Sequence, residues 1–265
     1  MSYVIQGGEE GKARLSILGQ AMNRYSIGAL EKAGLQPGSK CLDAGCGGGT
    51  MTYAMAEIAG SGGHVTGIDH DVEIIRLNLQ ELDTKHAGNV SFRQGEVYDL
   101  HEVEEYDMAY ARFLLSHLTD PVLAIAKIMH ALKPGGYFIA EDVHFSGHFC
   151  YPANEAFETY VKWYTEAVGA NGGDAEFGVK LYTYLETAGL TDMQMEIVQP
   201  AGISGPAKQM SLVTLEKIKN SVLANDITSE EEFTRIVGEL RAYTENRESI
   251  ISMPRIFQVW GRKPF

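Results

Sequence analysis

Leu42-Asp43-Ala44-Gly45-Cys46-Gly47-Gly48-Gly49-Thr50 ends a short apolar run and opens an amphipathic one, so it reads as a strand-to-helix turn. Glycine at 45, 47 and 49 lets the backbone come close to a ligand, because no Cβ stands in the way. A dinucleotide fingerprint, Gly-x-Gly-x-x-Gly, needs its third glycine at position 50 or 52, and threonine stands at both. No Gly-Lys-Ser/Thr follows, which excludes a phosphate loop. Asp43, two residues before the first glycine, would repel a pyrophosphate and suits a ligand carrying an ammonium group.

Outward from this turn, strand and helix patterns alternate. Lys40 to Ala44 reads as a strand, 50–59 as a helix, His64 to Ile68 as a strand, 71–86 as a helix and Val90 to Gln94 as a strand. Asp107 to Ala111 is a further strand, followed by a helix over 121–132 that buries Val122, Ile125, Met129 and Leu132. Lys133 to Gly136 reads as a turn, and Tyr137 to Val143 as the fifth strand. Such alternation implies right-handed crossovers and a mostly parallel sheet with helices on both faces.

Ahead of this core, 12–34 reads as a helix stopped at Ala33-Gly34-Leu35. Beyond it, helices are expected over 153–169 and 176–188, and strands over Met193 to Val198 and Ile256 to Gly261. Between those last strands lies an insertion, 201–253, too long for a bare loop. It is expected to hold two helices. One carries Leu212, Leu215, Ile218 and Val222, and the other opens at Thr228 with Glu231 as a capping box. The fold class is therefore α/β, a Rossmann-like, doubly wound, mostly parallel seven-stranded sheet with helical insertions forming a cap. A single domain over 1–265 is expected: a helical segment 1–35, a core 36–147, the rest of the sheet and helices in 148–200 and 254–265, and a helical lid 201–253.

Composition narrows the function. Lys plus Arg number 22 against 35 Asp plus Glu, a formal net charge of −13, and no basic cluster stands out, so nucleic acid is a poor partner. Cys41, Cys46 and Cys150 show neither a disulfide framework nor zinc spacing, and no metal site is expected. No run of about 18 apolar residues marks a membrane span. Met1 to Glu10 lacks the features of a secretory signal, and free thiols fit a reducing cytosol. A cytoplasmic chain is expected, and a homo-oligomer is left open.

Asp43-x-Gly45-x-Gly47-x-Gly49 resembles motif I of class I S-adenosylmethionine-dependent methyltransferases. The resemblance implies that Gly45, Cys46 and Gly47 pack against the methionine part of the cofactor and that Asp43 helps to orient it. Gly67-Ile68-Asp69 matches the acidic end of the second strand, which implies that Asp69, with His70 beside it, takes both ribose hydroxyls. A plain alternative makes the acid a helix cap. Gln94-Gly95-Glu96-Val97 is similar to the adenine turn, usually Gly-Asp-Ala, and points to Glu96 and the Val97 amide. Tyr106 to Ala109, with Arg112 and the loop to Leu118, resembles motif IV, and Leu132 to Phe138 matches the lead-in to strand five. These five matches run in the right order from about residue 38 to 143. Within the superfamily the chain looks like the UbiE-like small-molecule group, and Tyr3, Gln6 and Arg14 are similar to residues that close over the methionine end in some relatives.

The resemblance implies methyl transfer from S-adenosylmethionine to a small-molecule acceptor. Glu141, Asp142, His144 and His148 follow the fifth strand, where strand ends face the ligand crevice. His144 is the first choice as general base because an unperturbed imidazole titrates near neutrality. His117 is read as structural. Phe149, Tyr151, Phe157, Tyr160, Trp163 and Tyr164 concentrate aromatic surface that is expected to be mostly core, with part lining an apolar acceptor pocket. Competing readings are an aminopropyl transferase, methylation of a macromolecule, and a cofactor-binding protein without turnover. Tyr110 to Phe113 lacks the acidic substrate site that the first needs, and the Asn/Asp-Pro-Pro-Tyr motif of amino-directed nucleic-acid enzymes is missing there too.

Overall fold

The computed structural model describes residues 4–5, 7–85 and 87–265. Cys41, Leu42 and Ala44 of β1 (Lys40–Ala44) are fully buried, because this apolar strand lies between two parallel neighbours, β2 (His64–Asp69) and β4 (Tyr106–Arg112). β3 (Val90–Gln94) extends the sheet beyond β2, and β5 (Leu132–His144) extends it beyond β4. Two later strands, β7 (Thr191–Val198) and β10 (Arg255–Arg262), complete it, with β10 antiparallel to both β5 and β7. Among the described residues the sheet has seven strands in the order β3-β2-β1-β4-β5-β10-β7. The order reverses between β1 and β4, so the ligand crevice of this architecture lies beyond their carboxyl ends.

Helices cover both faces. α1 (Gly8–Lys32), α2 (Thr50–Ala59) and α3 (Val72–Lys85) close one core, in which Leu30, Met51, Met55 and Ile75 meet Val65, Tyr110 and Trp260. α4 (Pro121–Ala131) and α6 (Leu181–Thr187) close the other, where Ile125, Ile128, Leu181 and Leu185 pack on Leu42, Phe138 and Val259. A third cluster joins α1 to α5 (Glu155–Ala170), α7 (Pro206–Lys217), α8 (Lys219–Ala224) and α9 (Glu230–Glu245). Trp163 of α5 stacks on Phe233 of α9, ring centroids 6.0 Å apart. The 201–253 segment thus shares its core with the rest of the chain.

Several expectations shift. α1 begins at Gly8 rather than 12 and ends at Lys32, where Gly34 takes φ +90° and Leu35 N–H returns to the Leu30 carbonyl. The 176–188 helix opens as a 3₁₀ turn, Phe177–Lys180, before α6. Lys133 to Gly136 does not precede β5 but bulges within it: Leu132 lies opposite Tyr106 and Tyr137 opposite Met108. The insertion holds three helices, because the expected first helix is interrupted at Ile218. Its last helix is capped one residue later than expected, by Ser229, whose Oγ accepts from Glu232 N–H. A small sheet of β6 (Cys150–Tyr151), β9 (Ile250–Ser252) and β8 (Ala201–Gly202), in that order, carried no sequence signal.

Candidate functional site

The glycine turn lies where β1 feeds α2. Gly45, Gly47 and Gly49 have φ of +70°, +50° and +76°, a region in which a side chain is strained. A Cβ at Gly49 would sit 2.8 Å from Phe92 Cζ, and one at Gly47 3.0 Å from Leu15 Cδ1. The turn is gripped at Gly47 on both sides of its residue. Its N–H donates to Asp69 Oδ2 at 2.9 Å, and its carbonyl accepts from Asn78 Nδ2 at 2.7 Å. Asn78, fully buried on α3, accepts in turn from Lys12 Nζ at 3.0 Å, and Lys12 pairs with Glu81.

The acids on either side differ in their surroundings. Asp69 Oδ1 accepts from Asp71 N–H at 3.0 Å and lies 3.3 Å from His70 Nδ1. Burial pushes the Asp69 carboxyl up, but the hydrogen bonds from His70, Asp71 and Gly47 outweigh it and hold it below its ordinary value. Asp71, not Asp69, caps α3: its Oδ1 accepts from the N–H groups of Glu73 and Ile74. Asp69 is thereby left facing the cavity. Asp43 is buried and accepts from Thr52 Oγ1 at 2.6 Å; burial raises it to about 6, against the Thr52 hydrogen bond and the charge of Arg112.

One cavity, about 1560 Å³ of empty space counting its open mouth, joins these groups. Arg14, Asp43, Gly45, Cys46, Gly47, Asp69, His70, Glu96, Val97 and Arg112 all line it, so the structure brings these expected residues together. Tyr3 and Gln6 lie outside the described residues. Glu96 is exposed and Val97 buried at the far end of the crevice. Arg112 Nη1 donates to Asn23 Oδ1 and Ser26 Oγ of α1, at 3.0 and 3.1 Å. Arg14 points toward the insertion: its Nε donates to Thr214 Oγ1 at 3.3 Å.

His144 is a correction, because it is not among the residues lining the cavity. Its Nε2 lies 3.1 Å from Glu176 Oε2 and 3.0 Å from Ser146 Oγ, on the outer side of the strand end. Glu141 is buried under α1, accepting from Tyr110 OH at 2.9 Å and Ser26 Oγ at 3.0 Å. Asp142 is buried as well and accepts from Ser116 N–H at 2.9 Å. His148, by contrast, lines the cavity, with His117, Phe145, Tyr160 and Tyr164 around the same end. Phe149 and Tyr151 are exposed, whereas Phe157 and Trp163 belong to the core. Met210 and Thr214 of α7, with Met253, complete this wall from the insertion. Sequence reading missed Met210 and Thr214 because a buried helix face looks the same whether it meets core or cavity, and Met253 follows β9 in a loop that carries no pattern.

Comparison with known proteins agrees with this geometry. A family profile described as a methyltransferase domain matches residues 35–189. The 2-phytyl-1,4-naphtoquinone methyltransferase of Nostoc sp. is 28% identical over 160 residues, covering 59% of this chain and 67% of that one. The ubiquinone biosynthesis O-methyltransferase of Hydrogenovibrio crunogenus is 36% identical over 97 residues, 36% of this chain and 39% of its own. In fold, the YcgJ protein of Bacillus subtilis superposes with a TM-score of 0.60 at 16% identity, covering 91% of this chain and 99% of that one. A phosphoethanolamine N-methyltransferase of Haemonchus contortus, solved with S-adenosylhomocysteine, gives 0.56 at 17% identity, covering 91% of this chain and 53% of that one. The chain belongs to the methyltransferase-domain family, and S-adenosylmethionine is the cofactor that membership carries.

The residues present fit that group. The turn is a cradle that a Cβ at Gly47 or Gly49 would crowd, and Asp69 offers a fixed, ionised carboxylate at its edge. Asn78 does not line the cavity, yet it sets the Gly47 carbonyl. Asn78→Asp, the same shape without the amide donor, is expected to weaken S-adenosylhomocysteine binding about tenfold in calorimetry, as losing a hydrogen bond that leaves a buried carbonyl unpaired costs about 1–3 kcal/mol. Unchanged affinity would mean that the turn holds its shape without this bond.

Proposed function

We propose that this chain transfers the methyl group of S-adenosylmethionine to a small, flat, largely apolar acceptor held at the aromatic end of the cavity. The observation that carries the reading is the continuity of that cavity, from the glycine turn and Asp69 to Phe145, Tyr160 and Tyr164. Phe145 and Tyr164 stack on one another at 3.7 Å with planes 10° apart, one aromatic block at that end of the cavity. The relatives named for naphthoquinone and ubiquinone methylation favour a quinone-like acceptor.

The bound cofactor supplies a methyl group already activated on a sulfonium. The chain has to hold, orient and exclude water. Gly45, Cys46, Gly47 and Asp43 flank the methionine part, Asp69 with His70 takes the ribose hydroxyls, and Glu96 with Val97 meets the adenine. Arg14 and Arg112 stand above the methionine end. Residues 201–253 act as a lid, with Met210, Thr214 and Met253 closing the acceptor end. Alignment of this kind contributes roughly 7–11 kcal/mol in favourable cases.

Asp43 gives the reading a pH signature. An ammonium group beside it binds the ionised carboxylate, so affinity for S-adenosylhomocysteine falls as the pH drops below about 6. The expected slope is about tenfold per pH unit, absent in Asp43→Asn. Fold stability runs the opposite way for this group: its raised folded value favours the fold most below pH 3.8, and that contribution is lost as pH rises through about 6. A calorimetric series from pH 4.5 to 8 that shows no limb, or the same limb in the variant, would separate Asp43 from the ligand.

Turnover tests the whole reading. With labelled S-adenosylmethionine, 1,4-dihydroxynaphthalene is expected to be methylated and phosphoethanolamine is not. The reverse preference would overturn the flat-acceptor assignment. Binding of S-adenosylhomocysteine with no methylation across a broad acceptor panel would favour a cofactor-binding protein without turnover.

A further inference from the structure

Polar side chains at the acceptor end of the cavity are mostly committed to one another. Arg14 donates to Thr214, and His117 Nε2 lies 3.5 Å from Tyr164 OH. His148 is arranged differently. Its Nδ1 lies 2.7 Å from the backbone carbonyl of Phe145. A carbonyl can only accept, so Nδ1 carries the hydrogen and Nε2 carries the lone pair. Three rings fix the imidazole edge-on: Phe145 at 4.5 Å between centroids, Phe157 at 5.7 Å and Tyr160 at 5.9 Å. Burial pushes its pKa down to about 4, so the ring is neutral at physiological pH. The 3₁₀ turn Phe145–Gly147 after β5 brings His148 to the cavity while His144 stays outside with Glu176.

Resting on the flat-acceptor reading above, we propose that His148 Nε2 accepts the hydrogen of a hydroxyl group on the acceptor, which makes that acceptor a hydroxylated ring and its oxygen the methylated atom. The acceptor oxygen forms the new bond to the methyl carbon with its own electron pair while the carbon–sulfur bond breaks onto sulfur. Its O–H bond breaks toward Nε2 as the O–C bond forms, because an imidazole hemmed in by three aromatic rings takes a proton only from an oxygen becoming strongly acidic. The imidazolium then returns the proton to water when the product leaves. His148 is thus the general base of the reaction, of the kind that contributes about 10²–10⁴-fold.

Histidine-selective ¹⁵N spectroscopy on the S-adenosylhomocysteine complex tests this without turnover. His148, assigned by its loss in His148→Gln, is expected to show the Nδ1–H tautomer. 1-Naphthol is expected to shift its Nε2 resonance, and 1-methoxynaphthalene, the same ring without the hydroxyl hydrogen, is not. 1-Naphthol bound by calorimetry with Nε2 unmoved would overturn the role of His148 and leave the flat-acceptor reading standing. Failure of both rings to bind would remove both. For any hydroxylated acceptor that is turned over, His148→Ala is expected to lower kcat about 100-fold, with S-adenosylhomocysteine affinity unchanged as the control for folding. His148→Gln, which restores a hydrogen-bond acceptor but not a base, should recover KM and not kcat. Equal recovery of both would overturn the proton transfer.

Discussion

Asp69→Ala weakens S-adenosylhomocysteine binding at least tenfold, about 1.4 kcal/mol, when the folded variant is titrated calorimetrically beside the parent chain. Two losses add. The ligand loses an ionised carboxylate able to take both hydroxyls of a vicinal diol. The protein loses the acceptor for Gly47 N–H at 2.9 Å and for Asp71 N–H at 3.0 Å, so the glycine turn is no longer held at its edge. Asp69→Asn keeps one oxygen and separates the two effects: it can still receive a backbone N–H while presenting an amide to the diol. An Asp69→Ala affinity equal to the parent's would place the ribose elsewhere and withdraw the cofactor site as drawn.

Trp163→Ala lowers unfolding free energy by about 3–5 kcal/mol, the usual cost of emptying a buried aromatic site, measured by urea denaturation. Trp163 is 5% exposed and stacks on Phe233 of α9 with planes 13° apart. It is not among the residues lining the cavity. Cofactor affinity should therefore stay within about twofold, while acceptor turnover falls as the insertion loosens. A cost below about 1 kcal/mol would show that α9 is only lightly attached to α5, and the lid would lose its main support.

The cavity end formed by the glycine turn was legible because its signals are local. Asp43, the three glycines and Asp69 sit at strand ends, where a backbone constraint and a carboxylate leave marks in a few adjacent residues. The inner strands were legible for the same reason: β1, β2 and β4 are short runs rich in buried apolar residues with turn residues nearby, whereas the Lys133 to Gly136 turn signal hid the early start of β5. What escaped notice depends on distant partners. Leu212, Leu215, Ile218 and Val222 keep one stripe across the break at Ile218, since Val222 N–H still reaches the Ile218 carbonyl, so periodicity cannot see the interruption. Thr228 and Ser229 each precede a glutamate by three residues, and only the docked chain selects Ser229 as the cap. His144 and His148 are equivalent in a string of letters. The turn between them decides which faces inward.

The small sheet has a practical reach beyond stability. Ala201 of β8 lies opposite Ser252 of β9, so the insertion leaves and rejoins the rest of the chain at adjacent backbone positions. Paired strand residues are about 5 Å apart, a gap that a cassette of almost any length can bridge. Exchange of everything between those two residues for the corresponding stretch of another methyltransferase needs no change in Gly45 to Gly49, Asp69 or Asn78. Such a cassette would carry only the wall that Met210 and Thr214 contribute, while Phe145, His148, Tyr160 and Tyr164 stay behind, and it would have to match the core that 201–253 shares with α1 and α5.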